Sequence, residues 1–122
     1  MSQQCQHVVW SLEGEIRSGK KLEFMSFMSE VVDVLQRQPG TMLYEWTLSK
    51  DGSTAYVFER YQDEAAARGA IAATRQLAER LPLLARSLKF TVFSHVSPEL
   101  KADLAKFSPV YMKPMGGFVA MQ

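Results

Sequence analysis

The chain has 122 residues, 47% of them hydrophobic and 22% charged, which is enough to bury one core and excludes general disorder. Lys and Arg number 14 against 13 Asp and Glu, a net charge of +1, and the basic residues form no run, so a phosphate-binding stripe for nucleic acid is excluded. No apolar run approaches the ~18 residues a membrane-crossing helix needs.

The N-terminal stretch lacks the basic and apolar regions of a secretory signal, so the expected location is the cytoplasm and the expected organisation a single domain over residues 1–122. Cys5 is the only cysteine, and a lone thiol has no partner for a disulfide or a metal cluster.

From His7 to Ile16 the apolar residues Val8, Trp10, Leu12 and Ile16 alternate with Val9, Ser11, Glu13 and Glu15, the pattern of a strand with one greasy face. Ser18-Gly19-Lys20 breaks it. Leu22, Met25, Met28, Val32 and Leu35 then recur at helical spacing, broadened by Phe24, Phe27 and Val31, until Pro39-Gly40 ends the helix. Thr41–Leu48 and Thr54–Tyr61 are two strands flanking Ser49-Lys50-Asp51-Gly52-Ser53. If Asp51-Gly52 forms a type I′ turn, Lys50 faces Ser53, Trp46 faces Val57, Tyr44 faces Glu59 and Met42 faces Tyr61.

One hairpin face then carries Met42, Tyr44, Trp46, Val57, Glu59 and Tyr61. The other carries Leu43, Glu45, Thr47, Tyr56, Phe58 and Arg60, with Glu45 and Arg60 placed for a cross-strand ion pair. Asp63-Glu64 opens a second helix predicted to reach about Glu79, with Pro82 marking a break. Leu88–Val96 alternates as a fourth strand. Ser97-Pro98-Glu99 starts a short helix to Phe107, and an apolar tail broken by Pro114 and Gly116-Gly117 completes residues 97–122.

The order βαββαβ predicts an α+β, ferredoxin-like sandwich with a four-stranded antiparallel sheet. Two amphipathic helices cover one sheet face. The reading assigns Tyr44, Trp46, Val57 and Tyr61 to the other face, where a second copy of the chain would cover them as a homodimer and enclose a cavity on each protomer. The two histidines, His7 and His95, are far apart and lack helical ligand spacing, so no metal site is expected. No glycine-rich phosphate loop is present.

The Pro39-Gly40-Thr41 turn, Tyr44-Glu45-Trp46, Asp51-Gly52, Glu59-Arg60-Tyr61 and Asp63-Glu64-Ala65-Ala66 together resemble the antibiotic biosynthesis monooxygenase family, a branch of the dimeric α/β-barrel superfamily. Ser97-Pro98-Glu99-Leu100 and Pro109-Val110-Tyr111-Met112 resemble one subgroup of small stand-alone members. The resemblance implies a homodimer and oxidation of a quinol, polyphenol or similar planar aromatic by molecular oxygen with no cofactor. Tyr61 matches the cavity-lining aromatic of the family, and Glu59 the acid two places before it. Ala70 stands where many members carry a His, and this departure weighs against chemistry that needs that His as base or haem ligand.

On this reading Glu59, Tyr61 and His95 are the catalytic candidates, with Tyr44, Trp46, Met42 and Val57 as substrate-binding residues. Glu59 is the base if burial among the rings raises its pKa, and a tyrosine hydroxyl holds the substrate oxygen. Trp10 is expected in the core. Two alternatives stand beside the enzyme: a non-catalytic binding or sensing dimer of the same fold, and a haem-binding degradation protein.

Overall fold

A computed structural model describes residues 7–118 and 120. The elements run β1 (Val8–Ile16), α1 (Lys21–Gln36), β2 (Thr41–Leu48), β3 (Thr54–Tyr61), α2 (Glu64–Ala73), α3 (Arg75–Ala78), α4 (Leu81–Leu84), β4 (Ala85–Val92), α5 (Pro98–Leu104), a 3-10 turn (Ala105–Phe107) and β5 (Val110–Tyr111). One sheet holds all five strands in the order β2-β3-β1-β4-β5. β1 pairs antiparallel with β3 and β4, and β2 with β3, while β5 joins β4 in parallel.

The βαββαβ order is therefore present, but the sheet is five-stranded and mixed, not the four-stranded antiparallel one expected. The tail makes the difference: the Met112 N–H donates to the Val92 carbonyl at 2.7 Å and fastens β5 to the edge. Cys5 lies outside the described residues. No helix among the described residues is long and apolar enough to cross a membrane.

The hairpin keeps the predicted register, with Tyr44 opposite Glu59 and Trp46 opposite Val57. Its ends differ. Thr41, not Met42, lies opposite Tyr61, because the register shifts between Thr41 and Leu43. The turn is not type I′, since only Gly52 (φ 77°) takes a positive φ there. The Gly52 N–H instead donates to the Ser49 carbonyl at 2.9 Å, and the Ser49 N–H to the Thr54 carbonyl at 2.8 Å. The Asp51 carboxylate closes this longer loop by accepting from the Ser53 hydroxyl (2.7 Å), the Ser53 N–H (3.0 Å) and the Ser49 hydroxyl (2.8 Å), which hold its pKa down at about 2.

The larger correction concerns the faces. Partners in an antiparallel ladder point to the same side of a sheet, and Trp10 lies opposite Glu59, Leu12 opposite Val57 and Val8 opposite Tyr61. Tyr44, Trp46, Val57, Glu59 and Tyr61 thus share the face of Trp10, and that face lies under the helices. The Phe24 ring of α1 meets Trp46 edge-on at 5.3 Å, and Val57 and Tyr61 are fully buried in the core. The buried stripe of α1 is Phe24, Phe27, Val31 and Leu35, whereas Leu22 and Met25 face solvent.

The open face carries Leu43, Tyr56 and Phe58, all exposed, with the last two rings stacked at 6.0 Å. Arg60 turns to His7 Nδ1 at 2.9 Å and makes no ion pair with Glu45.

The second helix is shorter than predicted. Asp63 caps it by accepting the Ala66 N–H at 2.9 Å, and it ends at Ala73. Thr74 leaves helical geometry (φ −107°) and donates its hydroxyl to the Ala70 carbonyl at 2.8 Å. Two single-turn helices lead into β4, which starts at Ala85 rather than Leu88. Ser87 at φ 55° bulges there, where the pairing with β1 shifts register.

α5 starts with Ser97 as its cap and docks on α2. Glu64 accepts both the Ser97 N–H (2.7 Å) and the Ser97 hydroxyl, and Arg68 binds Asp103 at 2.7 Å. Leu100 and Leu104 are fully buried below. This docking brings Phe107 onto Phe90, ring to ring at 5.3 Å, and closes one end of the layer between sheet and helices.

Two substitutions test these supports. Gly40 has φ 79°, and a Cβ there would stand 2.6 Å from the Ala66 Cβ. Gly40→Ala is expected to lose about 2 kcal/mol from combined backbone strain and overpacking, read as a lower urea midpoint with an unchanged slope. Leu100→Ala is expected to lose about 3 kcal/mol through the cavity it leaves under α5. A loss below about 1 kcal/mol in that same unfolding measurement would show that α5 contributes little to the core.

Candidate functional site

Three neighbouring strands place one residue each on a single row across the sheet: Tyr44 on β2, Glu59 on β3 and Trp10 on β1. Tyr61, two positions along β3 and so on the same side, donates its hydroxyl to Glu59 Oε1 at 2.5 Å. Trp46, two positions along β2, donates its indole N–H to the Tyr44 oxygen at 3.0 Å. The rings pack around this row, with Trp10 5.1 Å from Tyr61 and 5.5 Å from Phe90. Alternation along three strands thus produces one carboxylate in a bed of aromatic rings.

Burial governs the electrostatics. It pushes the Glu59 carboxyl from an ordinary 4.5 up to about 7, against the hydrogen bond from Tyr61 and the opposing influence of Trp10. Burial also drives the Tyr61 phenol far above its usual range, and the Glu59 charge adds to this. Tyr44 moves the same way for the same two reasons, although its bond with Trp46 opposes the shift. At neutral pH both phenols are therefore protonated donors, and Glu59 sits close to half-ionised. The Tyr61 proton is committed to Glu59. Among the hydrogen bonds of the described residues, the Tyr44 hydroxyl accepts from Trp46 and has no acceptor for its own proton.

A cavity of about 90 Å³ opens beside this row, between the sheet and the helices. Its floor is Trp10, Leu12, Tyr44, Trp46, Glu59, Tyr61 and Phe90. Phe27, Val31 and Leu35 of α1 with Ala70 and Ile71 of α2 and Thr74 just after it roof it, and Arg75, Ala78, Leu81, Leu104, Lys106 and Phe107 complete the wall. A dry cavity of about 150 Å³ takes up benzene. This one is smaller, so as it stands it takes only part of an aromatic ring, and the rest of a bound molecule would project through its mouth.

The predicted site residues divide into two groups. Glu59, Tyr61, Tyr44 and Trp46 are brought together at the cavity. Neither Val57, fully buried in β3, nor Met42, exposed at the irregular start of β2, lines it. His95 also lies apart. β4 ends at Val92, not at Val96, because the Ser94 hydroxyl takes over the edge by accepting the Val9 N–H at 2.9 Å and donating to the His7 carbonyl at 3.2 Å. His95 is left exposed in the segment that turns toward α5.

Trp10, assigned to the core alone, serves the core and the cavity together. Its place opposite Glu59 follows once β1 is set beside β3. Arg75 and Lys106 were missed, for no local signal marks the helix break at Thr74 or the docking of α5. Ala70 is buried with its methyl group on the cavity wall. The position matched to the family His does face the cavity, and here it offers neither a base nor a ligand for haem iron.

No family model and no curated protein sequence matches the chain. Solved structures do match in shape. MupZ from Pseudomonas fluorescens superimposes with a TM-score of 0.85 at 16% identity, covering 98% of this chain and 94% of that one. SnoaB, a cofactor-independent oxygenase from Streptomyces nogalater, gives 0.64 at 20% identity over 75% of this chain and 95% of its own. A Nitrosomonas europaea protein described provisionally as an antibiotic biosynthesis monooxygenase gives 0.67 at 16% identity, covering 80% and 98%. At these identities the likeness is one of architecture, and the chain has the fold of the antibiotic biosynthesis monooxygenases.

Proposed function

We propose that this protein is a cofactor-independent monooxygenase acting on a small phenolic or quinol-type ring. The observation that carries the reading is the Glu59 carboxylate, poised near pH 7, facing a small aromatic-lined cavity beside the uncommitted Tyr44 hydroxyl. SnoaB, of the same fold, is a cofactor-independent oxygenase. The dimer implied by the resemblance would form through the open sheet face, where Leu43, Tyr56 and Phe58 are exposed, and not over the residues first assigned to it.

In this mechanism Glu59 takes the phenol proton, and the Tyr44 O–H donates to the resulting phenolate oxygen. The phenolate passes one electron to molecular oxygen. The phenoxyl radical and superoxide then join through a new C–O bond at a ring carbon, and the peroxide takes back the proton held by Glu59. Loss of the ring C–H proton to Glu59 makes that carbon a carbonyl as the O–O bond breaks, and the departing hydroxide leaves as water. One oxygen atom enters the product and one enters water; ArOH and O2 become a quinone and H2O.

A binding or sensing module of the same fold is the second reading, favoured by the methyl group of Ala70 where a helix-borne base would stand.

Oxygen uptake on single-ring hydroquinones separates the two. Glu59→Gln is expected to lower turnover by about 10²–10⁴-fold while the elution volume stays unchanged. Uptake no faster than autoxidation across the panel would leave the binding module. Because the base works as a carboxylate, kcat/KM is expected to rise with pH through an apparent pKa of about 7 and then level off. A flat profile would remove Glu59 from the reaction.

Stability runs the other way. The folded state favours neutral Glu59, so this residue's destabilising effect is absent below its unfolded pKa of 4.5, grows as pH rises, and is complete above about 7. Glu59→Gln is therefore expected to raise Tm at pH 8 and to change it little at pH 4. Equal Tm changes at both pH values would mean that burial does not penalise the charge.

A further inference from the structure

The cavity lining includes two cations that proton transfer at Glu59 does not use. Arg75, at the first position of α3, and Lys106, in the 3-10 turn after α5, come from elements far apart in sequence and line the same cavity. Arg37, Arg68 and Arg80 each hold a carboxylate at 2.7–2.9 Å. Among the described residues, Arg75 and Lys106 take part in no salt bridge and no side-chain hydrogen bond.

The cavity's own acid does not neutralise them. The influences on Glu59 are burial, Tyr61 and Trp10, and neither cation is among them. Lys106 Nζ rests 5.2 Å from the centre of the Phe107 ring, itself part of the wall. Two cations without an anionic partner thus border this small cavity. The same lining holds a carboxylate and a phenol that would repel or ignore a second anion.

We infer that the substrate carries a carboxylate on its ring, remote from the hydroxyl presented to Glu59, and that Arg75 and Lys106 bind that carboxylate at the cavity mouth. The inference rests on the ring-binding reading above and narrows its substrate class to hydroxyaryl acids. The Arg75 guanidinium can take both carboxylate oxygens in a planar fork, and the Lys106 ammonium adds a compact charge. Both side chains remain exposed, so the anion keeps part of its hydration and escapes most of the cost of burying a charge. The hydroxyl-bearing side of the ring enters the 90 Å³ cavity, and the acid group lies outside it toward the exposed Arg75 and Lys106.

The test is binding, without turnover. The whole chain is titrated calorimetrically with 4-hydroxybenzoate and with its neutral isostere 4-hydroxybenzamide, at low and at high salt. The acid is expected to bind about 10-fold more tightly than the amide at low salt, with the difference shrinking at high salt. Arg75→Gln and Lys106→Gln are each expected to weaken the acid about 3-fold and to leave the amide unchanged. Equal affinity for acid and amide, equal loss of both in the variants, or no heat from either ligand at low-millimolar concentration would each overturn the inference. Acid preference without oxygen uptake on any hydroxyaryl acid would keep the anion site and sink the oxygenase. Oxygen uptake on neutral phenols with no acid preference would do the reverse.

Discussion

Glu59 stands in a row where the pleat would otherwise place only rings and aliphatic chains, and the site depends on how that carboxylate is tolerated. It has Tyr44 on one side, Trp10 on the other and the helices above. Removing an ionised carboxylate from water costs several kcal/mol unless it is paired or hydrogen-bonded. No cation pairs with it among the described residues, and only the Tyr61 hydroxyl donates to it at short range. One strong donor lowers the penalty without cancelling it, and what remains appears as a carboxyl that titrates near 7. A local violation of core patterning that produces a base at neutral pH is the kind a protein keeps for its chemistry.

The surrounding core supplies the rigidity that this arrangement needs. Trp10 packs on Tyr61 and Phe90, Phe90 on Phe107, and Phe24 on Trp46, so the rings that hold the Glu59–Tyr61 pair are held in turn by α1 and by the segment after α5. Exposing the Tyr61 ring would forfeit the packing of one of the largest fully buried side chains. The hydrogen bond at Glu59 therefore inherits its geometry from packing and not from the bond's own strength.

Much of this was legible in the residues, and the failures have physical causes. Thr41–Leu48 and Thr54–Tyr61 were bounded correctly, and Tyr44 was set opposite Glu59, because alternation and the turn residues fix register locally. Alternation separates two faces but does not say which one the helices cover. The missing step was a ladder partner: setting β1 beside β3 puts Trp10 opposite Glu59 and settles the side. Leu22 and Met25 misled the reading of α1, since a stripe read from spacing alone fits two adjacent rotations of the helix. The break at Thr74 carries no Gly or Pro that would mark it in the sequence. His95 and Val57 were chosen for chemical type and strand register, and their distance from the cavity depends on where β4 ends and how deep the core runs.

The chemistry proposed for this site can be weighed by its first step. A phenol has a pKa of ~10, so handing its proton to a base near 7 is uphill by roughly 4 kcal/mol. Uphill proton transfer of that size is compatible with enzymatic rates only if the phenolate is stabilised where it forms. A charge-assisted hydrogen bond of the kind the Tyr44 O–H can donate contributes about 1.5–3 kcal/mol. A helix-borne imidazole at position 70 would have offered a second proton acceptor, and with Ala70 in its place no second base supplements Glu59 among the lining residues. The remaining deficit of roughly 1–2.5 kcal/mol is small beside what holding the phenol against its base in a fixed geometry can supply.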